Sequence, residues 1–197
     1  MRVLNVGGGR KDIPIPEHYA GWEHVLLDVD PRGRPDVVCD ARELASLPAA
    51  EYDAVYCSHN LEHYHRHDGP RVLGGFLHVL KPHGFAEIHV PDLEALIRHV
   101  AETRIDLEDV LYTSPAGPVT PRDLLYGWAH EIERSGQDFY AHKTGFTPRS
   151  LHRLLREVGF GEIVLLRARA SFDLAAYAFR ATPRPEQRAM LGLPPSK

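Results

Sequence analysis

The chain has 197 residues, 43% hydrophobic and 25% charged, with a formal net charge of −4. That length suits one domain with a full core, and the acidic balance lacks the basic footprint of a nucleic-acid binder. No apolar run reaches the roughly 18 residues that span a membrane, and no charged segment followed by an apolar stretch opens the chain; a cytoplasmic protein is therefore expected, with Cys39 and Cys57 as reduced core residues.

Residues 2–6 (Arg-Val-Leu-Asn-Val) read as a buried parallel strand, and Gly7-Gly8-Gly9 follows without a spacer. Glycines there let the backbone turn sharply and approach a ligand that a Cβ would block. The next apolar run, residues 24–27, ends in Asp28, 19 positions after Gly9. A doubly wound fold places a carboxylate for a ribose diol at that spot, and Asp30 competes for the role if the strand runs further. A dinucleotide site wants a third glycine three residues after the second, facing a pyrophosphate. Asp12 stands there instead, and Pro14 and Pro16 interrupt any helix starting at the turn. The pattern suits a nucleoside cofactor without a pyrophosphate and opposes a nicotinamide-dependent oxidoreductase.

Residues 36–40 are expected as strand three, 41–47 as a short helix, 52–57 as strand four, 69–80 as an amphipathic helix and 85–90 as strand five. Asp40 ends strand three as a second carboxylate, either a cofactor ligand or the cap of the helix that follows. Asp92 is the expected N-cap of a helix running to about residue 103. Residues 104–146 form a long insertion with helical pieces around 107–112 and 121–134, rich enough in aromatics to argue against disorder. Thr147 and Pro148 open another helix, Gly159 closes it, and residues 162–168 and 172–181 read as a final antiparallel hairpin. The alternation predicts an α/β fold: a doubly wound, Rossmann-like sheet of seven strands, mostly parallel, with an antiparallel C-terminal hairpin and a helical insertion after strand five. Residues 1–182 are expected as one domain and 183–197 as a flexible, proline-rich tail.

Thirteen histidines are many, and they cluster. His59, Glu62 and His63 stand at i, i+3 and i+4, one face of a helix, which suits a divalent metal or a hydrogen-bonded pair inside the fold. His59 follows strand four and is also a candidate general base. Tyr140, His142 and Lys143 end the insertion and either line an acceptor pocket or pack the lid; Arg122, His130 and Glu131 carry the same ambiguity. His142 is the catalytic candidate among them.

The ordered set Leu4-Asn5-Val6-Gly7-Gly8-Gly9, Leu27-Asp28-Val29-Asp30-Pro31, the segment 52–63, Val79-Leu80-Lys81-Pro82-His83-Gly84 and Val90-Pro91-Asp92-Leu93 resembles class I S-adenosylmethionine-dependent methyltransferases over about residues 2–182. It is most similar to small bacterial members whose acceptors are mostly unassigned. The resemblance implies S-adenosyl-L-methionine as cofactor, with Gly7 and Gly9 beside its methionine and ribose, Asp28 on the ribose hydroxyls, Asp40 and the Ala41 N–H at the adenine, and Ser58 and His59 on the methionine side. Asn5 stands in the cofactor-binding motif where an acidic residue is common. A small-molecule or glycan-like acceptor, methylated on oxygen or nitrogen, is implied, with residues 104–146 as its lid. A non-catalytic cofactor-binding scaffold is the alternative.

Overall fold

Residues 1–114, 117–168 and 170–195 are described by a computed structural model. Short apolar runs become parallel strands: β1 (Arg2–Val6), β2 (Glu23–Asp28), β4 (Tyr52–Ser58) and β5 (Leu80–Pro91), all largely buried, and the short β3 (Val37–Val38), whose Val38 is exposed. Two antiparallel strands, β8 (Glu162–Ala168) and β9 (Asp173–Phe179), complete a seven-stranded sheet of order β3-β2-β1-β4-β5-β9-β8. A separate small hairpin pairs β6 (Tyr112–Ser114) with β7 (Gly117–Val119). The strand order reverses between β1 and β4, which opens a crevice beyond their carboxyl ends.

One face of the sheet is covered by α1 (Gly69–Val79) and α5 (Pro148–Val158), which bury Val72, Leu73, Phe76, Leu151 and Leu155. Thr147 caps α5 by accepting from the Ser150 N–H, with Pro148 at the first helical position, as the sequence predicts. After β5, Asp92 caps α2 (Leu93–Thr103), and its carboxylate also meets Arg167 Nε at 2.5 Å.

Four expectations change. Strand three shrinks to two residues because the Asp36 carboxylate takes the Leu26 N–H that a ladder carbonyl would take, and Asp40 turns away as a cap. Residues 107–112 are not helical: Asp106 and Asp109 hold their backbone in side-chain turns that lead into β6. The expected helix over 121–134 is broken into α3 (Pro121–Tyr126) and α4 (Ala129–Ser135) at Gly127. There φ is +90°, and a Cβ would lie 2.2 Å from the Tyr140 carbonyl. Finally, the proline-rich end carries α6 (Pro185–Met190), and Leu191 and Leu193 are buried with Val3, Tyr19, Phe85 and Phe179. Apolar contact with the sheet orders a segment whose composition reads as a tail.

Candidate active site

A cleft of about 960 Å³ lies at the reversal point of the sheet. Its inner wall starts where β1 runs into the glycine turn. Gly7 and Gly9 adopt φ of +73° and +69°, a region that penalises any Cβ. The Asp28 carboxylate, nearly buried at the tip of β2, accepts from the Gly9 N–H at 2.9 Å and the Asp30 N–H at 2.8 Å. It thereby ties the two loops together and keeps lone pairs for a ligand in the cleft. Gly33 packs on the same turn so tightly that a Cβ there would meet the Gly9 carbonyl at 1.8 Å.

Asp30 and Asp40 serve the same local purpose on either side of the cleft. Each caps a short 3₁₀ turn and binds an arginine two residues on: Asp30 with Arg32, Asp40 with Arg42, both at 2.6 Å. Burial works against the charged Asp40, but Arg42 outweighs it and holds the carboxyl below its usual range. Asp40 is therefore a cap that also lines the cleft. Asp30 does not replace Asp28 at the strand tip, since its carboxylate is spent on Arg32.

Three expected cofactor residues, Asn5, Ala41 and Ser58, do not line the cleft. Asn5 is buried beneath Gly8, whose Cβ position lies 2.2 Å from Asn5 Nδ2, and that nitrogen donates to His24 Nε2 at 3.2 Å. Burial lowers the His24 pKa, which keeps Nε2 free to accept. Asn5 thus supports the glycine turn from behind. Asn60, which sequence reasoning missed, does line the cleft: its amide sits where a Gly7 Cβ would be, 2.1 Å from Nδ2. Its position directly after His59, in the loop beyond β4 at the reversal point, is the signal that pointed there.

His59 is half-exposed in the cleft, with a strained φ of +48°. Its ring lies between two carboxylates, Nδ1 3.4 Å from Glu62 Oε1 and Nε2 3.3 Å from Asp173 Oδ1. Burial opposes the imidazolium, but Asp173 and Glu62 prevail and raise its pKa to about 10. A ring held in its doubly protonated form by these two carboxylates has no lone pair with which to act as a general base.

The outer wall comes from the insertion. A bridge between Gly127 and Ala141, with the Lys143 and Thr144 N–H groups on the Glu62 carbonyl at 2.8 and 3.1 Å, pins residues 140–144 against the segment after β4. Trp128, Tyr140, His142 and Lys143 consequently face the glycine turn across the cleft, as does Glu131. Arg122 and His130 do not line it. His142 Nδ1 lies 3.0 Å from the Leu124 carbonyl, and burial lowers its pKa.

A nucleoside cofactor fits this site: the glycine turn leaves open space at Gly9, where an added Cβ would meet only Ile13 at 3.7 Å, and the Asp28 carboxylate stands beside it. A reversed parallel sheet with this turn and acid is the frame of a class I S-adenosylmethionine-dependent methyltransferase, and comparison with known proteins shows the chain to be one, with S-adenosylmethionine as its cofactor. The chain belongs to the methyltransferase domain family, whose model matches residues 1–164. No curated protein matches it. Among solved structures it is similar in fold to a SAM-dependent methyltransferase from Archaeoglobus fulgidus (18% identity, 90% of this chain and 85% of that one, TM-score 0.56). It is also similar to the 1,6-didemethyltoxoflavin-N1-methyltransferase of Burkholderia thailandensis, solved with 1,6-didemethyltoxoflavin and S-adenosylhomocysteine (19%, 91% and 70%, 0.53). A third likeness is to the CurJ carbon methyltransferase (14%, 92% and 49%, 0.53). The nicotinamide and non-catalytic alternatives are set aside by the family.

Proposed function

We propose that the protein methylates an oxygen or nitrogen atom of a small-molecule or glycan-like acceptor, held between the glycine turn and residues 104–146 acting as a lid. The observation that carries this reading is the two-walled cleft, with Gly7, Gly9 and Asp28 on one side and Trp128, Tyr140 and His142 on the other. Trp128 is half-exposed, with its ring 6.1 Å from that of Tyr140 at 88°. Such an aromatic corner suits the face of a sugar or a heteroaromatic ring.

When bound, S-adenosylmethionine supplies a methyl group activated by a positive sulfonium. In this reading Asp28 takes the ribose hydroxyls, Gly7 and Gly9 admit the methionine and ribose, and Asp40 with Arg42 borders the adenine. Asn60 closes over the turn. The lid aligns the acceptor in line with the methyl and excludes water, which is the larger part of such catalysis. His59 acts as a fixed positive group at the methionine side, and His142 acts on the acceptor. The reaction belongs in the cytoplasm, a placement supported by the two unpaired cysteines.

The test is methyl transfer from labelled S-adenosylmethionine to a panel of hydroxylated, amine-bearing and glycan-like small molecules, followed by mass spectrometry. Transfer to an oxygen or nitrogen, with Trp128→Ala raising the acceptor KM and sparing the cofactor KM, is the expected result. Transfer to carbon acceptors alone would contradict the reading.

A further inference from the structure

Glu62 is fully buried, yet among the described residues neither of its carboxylate oxygens has a hydrogen-bond partner. A buried ionised group without partners is costly, and such a group usually serves something absent from the chain itself. The nearest side-chain nitrogens, His59 Nδ1 at 3.4 Å and His142 Nε2 at 3.9 Å, both approach Oε1 and leave Oε2 bare. The His63 ring lies 5.0 Å from that of His142, and one ligand atom each from Glu62, His63 and His142 falls within 4.8 Å of the others.

The two imidazoles are oriented alike. His142 Nδ1 faces the Leu124 carbonyl and His63 Nδ1 the Ala141 carbonyl, each at 3.0 Å. An Nδ1–H donated to a carbonyl is the outer-shell arrangement that leaves Nε2 with its lone pair for a cation. His63 differs from His142 in that its Nε2 also faces a carbonyl, that of His59 at 3.1 Å, so ligation exchanges this contact for the ion. Ligand atoms around a tetrahedral ion at about 2.1 Å stand about 3.4 Å apart, so closing a cluster whose atoms lie within 4.8 Å takes a contraction of up to about 1.4 Å.

We propose that Glu62, His63 and His142 form a binding site for a divalent transition-metal ion of the zinc type. Two imidazoles and one carboxylate give such an ion three protein ligands and leave one position open. His63 and His142 line the cleft, so an acceptor oxygen or nitrogen held there can take that position and be polarised. This last step rests on the methyltransferase reading; the metal site itself does not. His59 is outside the set because its Nε2 is directed at Asp173.

The experiment is calorimetric titration of the metal-free full chain with Zn²⁺. With 13 histidines present, adventitious binding is separated by variants. One Zn²⁺ per chain is expected, with affinity falling at least 100-fold in His142→Gln and in Glu62→Gln, on the order of what loss of even an outer-shell partner costs. A His65→Gln/His67→Gln double variant keeps the tight site. Circular dichroism verifies that each variant is folded, and the two ligands, on separate segments, guard against one failing to fold. No stoichiometric binding, or binding lost in the His65/His67 variant and kept in His142→Gln, overturns the site. S-adenosylhomocysteine titrated into the same metal-free protein tests the cofactor reading separately.

Discussion

Gly7→Ala is the substitution whose cost the structure fixes most closely. Two penalties add. Its φ of +73° costs an L residue about 1–2 kcal/mol. The new Cβ would also sit 2.1, 2.3 and 2.8 Å from Asn60 Nδ2, Cγ and Cβ, and overpacking of this kind costs about 1–3 kcal/mol. A total near 3 kcal/mol lowers Tm by roughly 6–12 °C for a chain of this size. Gly9→Ala has nearly the same φ but only Ile13 nearby, at 3.7 Å, so it carries the first penalty alone, about 1–2 kcal/mol. Adding Asn60→Gly to Gly7→Ala removes all three contacting atoms and recovers roughly half the loss, since about that share comes from overpacking. Thermal denaturation with and without S-adenosylhomocysteine reads both stability and the cofactor-induced shift. If Gly9→Ala costs as much as Gly7→Ala, or if Asn60→Gly recovers nothing, the role of Asn60 over the turn is wrong.

Other outcomes follow from single contacts. His89 lies between Asp173 at 2.9 Å and Glu87 at 3.1 Å; these outweigh its burial and raise its pKa to about 9. Its contribution, up to about 3 kcal/mol, is whole below about pH 6.5 and is lost as pH rises through about 9. Urea denaturation at pH 6.5 and 9.5 should show the loss, and His89→Gln should reduce it, leaving the share of His59, whose raised pKa acts in the same direction; an unchanged slope in the variant refutes the assignment. Leu193→Ala removes a buried side chain and should cost about 2 kcal/mol by thermal melting, where a frayed tail predicts no change. Asp40→Ala should cost about 1 kcal/mol as a lost N-cap and weaken S-adenosylhomocysteine binding by less than about tenfold, because the carboxylate is spent on Arg42; a loss matching that of Asp28→Ala would make Asp40 a principal ligand.

What was legible in the sequence was local. The strand, the glycine turn and the place of Asp28 at the tip of β2 were legible because each is a short-range pattern, and Thr147-Pro148 and Asp92 announced their helices through capping chemistry. One failure was local and the others were of long range. Nothing in residues 107–112 shows that Asp106 and Asp109 will hold the backbone out of a helix. Leu191-Gly192-Leu193 gives no sign that Tyr19 and Phe85, more than 100 positions earlier, await it. The histidine cluster was half visible: the i, i+3, i+4 spacing picked out Glu62 and His63, but the structure turns His59 toward Asp173 and brings in His142 from the insertion. That substitution depends on the Gly127–Ala141 bridge, a tertiary contact with no sequence period.

The central claim is that the cofactor is held at the glycine turn by Asp28. Calorimetric titration with S-adenosylhomocysteine, wild type beside Asp28→Ala, tests it most directly. Micromolar binding to the wild type is expected, with a loss of about 100-fold or more in the variant, since a carboxylate anchoring both a turn and a diol contributes several charge-assisted hydrogen bonds. Equal affinity in the two folded proteins would place the cofactor elsewhere and contradict a role for Asp28 in holding it.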